Sequence, residues 1–96
     1  MPAMHFTVRW PDDSRENCYS PSTAIEKWFE IDKVYSVEEF TQLAQQALNE
    51  ASERVAAKFG YYCSSAQDQS SAIQQKAKQF ASTAPVVIEK IVPISH

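Results

Sequence analysis

Two cysteines, Cys18 and Cys63, are the side chains of this 96-residue chain best suited to nucleophilic or redox chemistry. A reactive thiol needs a depressed pKa, which a helix N-terminus helps to supply, and Cys63 stands directly before a predicted helix start at Ser64. The competing assignment makes Ser64 the cap and both cysteines unreactive packing residues. A disulfide between them requires Cα atoms within about 7 Å. A metal site would have to draw on His5, His96, Cys18 and Cys63. None of these is paired at the short spacings of zinc motifs, so neither a metal nor a cofactor is expected.

The carboxylate pairs have ordinary explanations. Asp12 and Asp13 follow Pro11 in a turn. Glu38 and Glu39 occupy the first turn of a predicted helix, where the macrodipole favours negative charge. The chain has one glycine, Gly60, and no G-x-S-x-G or P-loop pattern. A glycine-rich phosphate cradle is therefore excluded, and no catalytic residue is assigned.

Large rings are in surplus: Trp10, Tyr19, Trp28, Phe29, Tyr35, Tyr61 and Tyr62. Each buries 150–250 Å² when it packs inside, which makes the core their first destination. Trp, Tyr and Arg also dominate interface energetics. Arg9, Trp10, Tyr19, Arg54 and Tyr61 are therefore the candidate binding surface, and ring exposure decides between the two destinations.

The elements that position these residues follow from periodicity. Met4, Phe6, Val8 and Trp10 alternate with His5, Thr7 and Arg9, the pattern of a half-buried strand. A turn at Pro11-Asp12-Asp13-Ser14 leads into a weaker strand over Arg15–Ser20, forming a hairpin. Thr23 and Glu26 have capping-box spacing and predict a helix of about two turns carrying Ile25, Trp28 and Phe29. The stretch 30–35 reads as a connector. Ser36 with Glu39 caps a long helix over Val37–Phe59, with an apolar stripe through Phe40, Ala44, Leu48, Ala51 and Val55. Gly60 is placed to terminate it. A further helix runs from Ser64 to about Phe80, and Val86–Val92 is a β-branched strand. The order β-β-α-α-α-β predicts a single α+β domain: a three-stranded, mainly antiparallel sheet with helices packed on one face.

Composition narrows the function classes. A hydrophobic fraction of 44% fits one ordinary core, and a formal charge of −3 argues against a dedicated nucleic-acid binder. No stretch approaches the roughly 20 apolar residues of a membrane span, and Met1–His5 lacks a signal-peptide pattern. A reduced, cytoplasmic protein without membrane contact is expected.

Three segments together resemble a known family. They are Phe6-Thr7-Val8-Arg9-Trp10-Pro11-Asp12, then Cys18-Tyr19-Ser20-Pro21-Ser22, and Ala51-Ser52-Glu53-Arg54-Val55 leading through Lys58-Phe59-Gly60-Tyr61 to Cys63-Ser64. With the entry into the long helix from Tyr35 to Phe40, the chain is similar to small bacterial nitrogen starvation response proteins over most of its length. The resemblance implies a setting in a gene cluster with a nitrilase, a radical SAM protein, an acetyltransferase-like protein and a flavoprotein, linked to nitrogen assimilation from nitriles or cyanide. It transfers no catalytic residue. The Gln- and Ser-rich stretch 64–79 departs from the family pattern.

The leading expectation is a non-enzymatic accessory protein that binds a protein partner from the same cluster and forms a homo-oligomer. Its surface would be the sheet face without helices, which carries one of the two alternating sets of the hairpin; if that set is His5, Thr7, Arg9, Asn17 and Tyr19, the face is mixed polar and aromatic and suited to recognition. The alternative is a small enzyme or ligand-binding protein with a pocket near Cys18, Tyr19 and Cys63. A nucleic-acid-binding regulator is a third, weaker expectation.

Overall fold

The computed structural model describes residues 3–60 and 64–94. The hairpin forms as its alternation requires. Strand β1 (Met4–Arg9) pairs antiparallel with β2 (Arg15–Ser20), with Phe6 opposite Cys18 and Arg9 opposite Arg15. In the connecting turn, the Trp10 amide donates to the Ser14 carbonyl at 2.8 Å, and Asp13 takes a left-handed φ of 66°. Asp12 accepts from both the amide and the hydroxyl of Ser14, which holds its carboxyl below the usual range.

Helix α1 (Ile25–Trp28) is a single turn, shorter than the two turns expected. Its start is organised by serines rather than by a Thr23–Glu26 box: Ser22 Oγ accepts from the Ala24 amide, and the Ser20 hydroxyl donates to the Ser22 carbonyl. Helix α2 (Val37–Phe59) has the predicted bounds. Ser36 Oγ accepts from the Glu39 amide at 3.1 Å. Gly60, at φ 80°, closes the other end in the left-handed region where a Cβ would be strained. Helix α3 (Ser64–Ala77) ends a few residues earlier than expected, and Lys78 to Phe80 continue in turns.

The sheet has four strands rather than three. Strand β4 (Pro85–Pro93) pairs antiparallel with β1, joining the hairpin as expected. The extra strand, β3 (Val34–Ser36), pairs antiparallel with the start of β4, giving the order β2-β1-β4-β3. It lies at the end of the expected connector, and three residues are too few to show a two-residue period. The chain order is therefore β-β-α-β-α-α-β.

The helices lie against one sheet face, and the core between them is aromatic at its centre. Phe40 of α2 meets Trp10 edge-on at 5.4 Å and Phe29 at 5.4 Å; Phe29 in turn contacts Phe6 and Tyr35, and Phe80 stacks on Trp10. Met4, Phe6, Val8, Val86 and Ile88 supply the sheet side, and Ala44, Leu48, Ala66 and Ile73 the helix side. Phe40 is fully buried and joins the two halves of the ring cluster. Phe40→Ala should therefore cost about 3–5 kcal/mol, read as the change in unfolding free energy by denaturant titration. A loss of a few tenths of a kcal/mol would mean that Phe40 behaves as a surface residue.

Candidate functional site

The face of the sheet turned away from the helices carries the half of the alternation that the core does not use. Cross-strand partners share a face, so the register places His5 beside Tyr19, Thr7 beside Asn17, and Arg9 beside Arg15. On the β4 side the same rows continue with Val92 next to His5, Lys90 next to Thr7, and Val87 next to Arg9. Val34 of β3 follows Val87. The result is graded: arginines with valines at one end, a polar middle, and an aromatic end with a valine. His5 and Tyr19 meet edge-on at 6.4 Å. Val34 and Val92 are among the exposed large hydrophobics, at 61% and 45%.

A bulge in β4 shapes this face. The pairing passes from Val8–Ile88 to Thr7–Lys90 and leaves Glu89 unpaired. An extra residue reverses the alternation beyond it, so Ile91 returns to the core while Lys90 and Val92 face outward. Glu89 reaches both arginines, at 2.7 Å to Arg15 Nε and 3.4 Å to an Arg9 guanidinium nitrogen. Two like charges directly opposite each other repel, and the carboxylate offsets that repulsion. Each of these exposed pairs contributes little to stability, but together they fix where both guanidiniums stand.

The free edge of β2 is partly closed. Gln69 of α3 accepts a hydrogen bond from the Tyr19 amide at 3.0 Å, satisfying an edge donor that would otherwise invite another strand. This is a specific role for one glutamine of the unusual 64–79 stretch.

The candidate binding residues separate. Arg9 and Tyr19 share the open face. Trp10 does not: it is 1% exposed and packed between Phe40 and Phe80, so its place on a binding surface is corrected. Trp10 follows β1 on the same alternation as Val8, which directs it inward. Arg54 belongs to the helical layer, pairing with Glu50 at 3.6 Å one turn away. Glu50 also takes Lys27 Nζ at 2.7 Å and Trp28 Nε1 at 3.4 Å, bonds that lower its pKa and tie α1 to α2. Tyr61 and Cys63 lie outside the described residues. Arg15, Val34, Val87, Glu89, Lys90 and Val92 were missed: the hairpin register places Arg15, the pairing of β4 with β1 and β3 places Val87 and Val34, and the bulge places Glu89, Lys90 and Val92.

Among the described residues no group of three or more His, Cys, Asp and Glu could hold a metal ion. No helix there is long and apolar enough to cross a membrane. Two open grooves of about 480 Å³ each run along α2 and α3, lined by Gln45 and Gln74 in common, and neither includes Cys18 or Tyr19.

Cys18 is fully buried under the sheet, and burial, reinforced by Glu16 beside it, pushes its thiol far above the ordinary value of 9.0. The group is a neutral packing residue, without the exposed thiolate that the alternative reading requires of it. Because the folded pKa exceeds the unfolded one, its contribution to stability is complete below the unfolded value. That contribution is lost as pH rises past about 9 toward the folded pKa. Unfolding titrations between pH 7 and pH 10, as order-of-magnitude bounds on that window, should show a decline that Cys18→Ala flattens. Iodoacetamide should label Cys18 in the folded protein far more slowly than a free thiol. Fast labelling of Cys18 near neutral pH would contradict the packing role.

The searches of curated proteins and of solved structures returned no match. The family model described as "Nitrogen starvation-induced protein NitG" matches residues 5–91, which contain all of β1 to α3 except Met4, and most of β4. The chain belongs to the nitrogen starvation-induced protein NitG family.

Proposed function

We propose that this chain is a non-enzymatic accessory protein of the nitrogen-starvation response that binds a protein partner through its open sheet face. The carrying observation is the one-sided cover of the sheet. Antiparallel sheets commonly leave one face to water, but solvated faces are ordinarily polar throughout. Here Val34, Val87 and Val92 lie in the same rows as two fixed arginines and the His5–Tyr19 pair. Aromatic, arginine and apolar groups around a polar centre match the residue types enriched where proteins meet. The buried Cys18 and the absence of a metal cluster among the described residues leave this surface as the better-supported site. The resemblance to a nitrilase-linked cluster suggests where the partner is encoded, and a cytoplasmic setting fits that role.

The test is recovery of the tagged protein from its own nitrogen-starved host, comparing wild type with a Tyr19→Ala, Thr7→Glu variant. A Gln45→Ala, Gln74→Ala variant serves as the helix-side control. The reading predicts stoichiometric recovery of an enzyme of the same cluster, lost with the sheet-face variant and kept with the control. Recovery of the protein alone, or loss only with the helix-side variant, would contradict it.

A further inference from the structure

The open face differs in charge from the molecule that carries it. Across β2, β1 and β4 it presents three cations, Arg15, Arg9 and Lys90, against one carboxylate, Glu89. The chain as a whole has a formal charge of −3. The hairpin turn beyond the Arg9–Arg15 row adds two exposed acids, Asp12 and Asp13, the first of them holding the amide and hydroxyl of Ser14, and Glu16 lies in the core-side row opposite Val8. The strand rows thus form a basic island on an acidic protein, bordered at the hairpin turn by Asp12 and Asp13.

That island is graded along the strands. The Arg9–Arg15 row and the His5–Tyr19 row are four residues apart on β1. At roughly 3.3 Å per residue the two rows are separated by roughly 13 Å. One end offers fixed guanidiniums that suit carboxylates, and the other offers ring edges and Val92 for an apolar group.

We propose that the partner engages this face with an acidic segment of protein, its carboxylates on Arg9, Arg15 and Lys90. An aromatic or branched apolar residue about 13 Å away then packs against His5, Tyr19 and Val92. This rests on the sheet-face reading above and adds the chemistry of the occupant. Charge complementarity selects it. A second copy bound face to face would set the cation surplus against itself, which costs affinity. A nucleic acid needs a longer basic track, and the net negative charge of the chain repels it at a distance. An acidic segment is matched by the island, and Glu89 is the internal competitor that it displaces.

The experiment uses the full isotope-labelled chain, with backbone amide shifts recorded against four probes. These are a random copolymer of glutamate and tyrosine, polyglutamate, a random copolymer of lysine and tyrosine, and oligouridine. The glutamate–tyrosine copolymer should perturb Thr7, Arg9, Asn17, Tyr19 and Lys90 and leave the exposed side of α2 unmoved. Its affinity should exceed that of the lysine–tyrosine copolymer by about tenfold and weaken with salt. Lys90→Gln should weaken it about threefold, and Glu89→Gln should tighten it by a similar factor, as expected for exposed charges.

Several results overturn the proposal. The acidic copolymer could leave the sheet amides unmoved, or Glu89→Gln could fail to tighten binding in a protein whose spectrum shows it folded. Tighter binding of oligouridine at the same amides would assign the face to nucleic acid. Concentration-dependent shifts there without any probe, with a dimer in sedimentation, would assign it to a second copy. If a cellular partner depends on Tyr19 while the acidic copolymer never touches the face, the acidic chemistry falls and the sheet-face reading stands. If neither touches it, both fall.

Discussion

Phe40 holds the two layers of this protein together, and the rest of the architecture follows from that contact. It projects from the first turns of α2 into the gap between Trp10, at the end of β1, and Phe29, just beyond α1. Each ring reaches a further one, so the hairpin, the short helix, β3 and the turn at Phe80 are all tied to one buried side chain. Edge and offset ring contacts add somewhat to the burial of area itself. A small chain with few large aliphatics in its helices centres its core on these rings. Tyr35 shows the economy of the arrangement: its ring packs on Phe29 while its hydroxyl accepts from the Glu30 amide.

Committing the rings to one side has a consequence on the other. With Met4, Phe6, Val8 and Trp10 turned inward, the strand must present His5, Thr7 and Arg9 outward. Among the described residues no element covers them. The interior is thus the cause of the open face, and the bulge at Glu89 refines it by returning Ile91 to the core and offering its carboxylate to the arginines. Gln69 limits the strand edge beside it. A face that is open, graded and guarded at one edge favours docking by side chains over strand addition.

Much of this was legible before any coordinates. The Ser36–Glu39 cap and Gly60 gave both ends of α2, because each is a local rule about orphaned amides or a positive φ. The alternation in residues 4–10 separated His5, Thr7 and Arg9 from Met4, Phe6, Val8 and Trp10, but left open which set faces outward until the helices are seen to cover the second. What escaped depends on long-range pairing. β3 is a strand only because β4 accepts it as a neighbour, and the face of Lys90 and Val92 depends on one unpaired residue. Trp10 was assigned to a surface by residue type, although its own alternation pointed to the core. The Gln-rich helix gave no local sign that Gln69 would reach Tyr19.

The most direct measurement of the central claim is hydroxyl-radical footprinting of the free protein and of its complex with the partner recovered from nitrogen-starved cells. The account predicts that Tyr19 and His5 are oxidised in the free protein and shielded in the complex, while Trp10 stays unmodified in both. Protection confined to α2 and α3, or oxidation of Trp10 in the free protein, would contradict it.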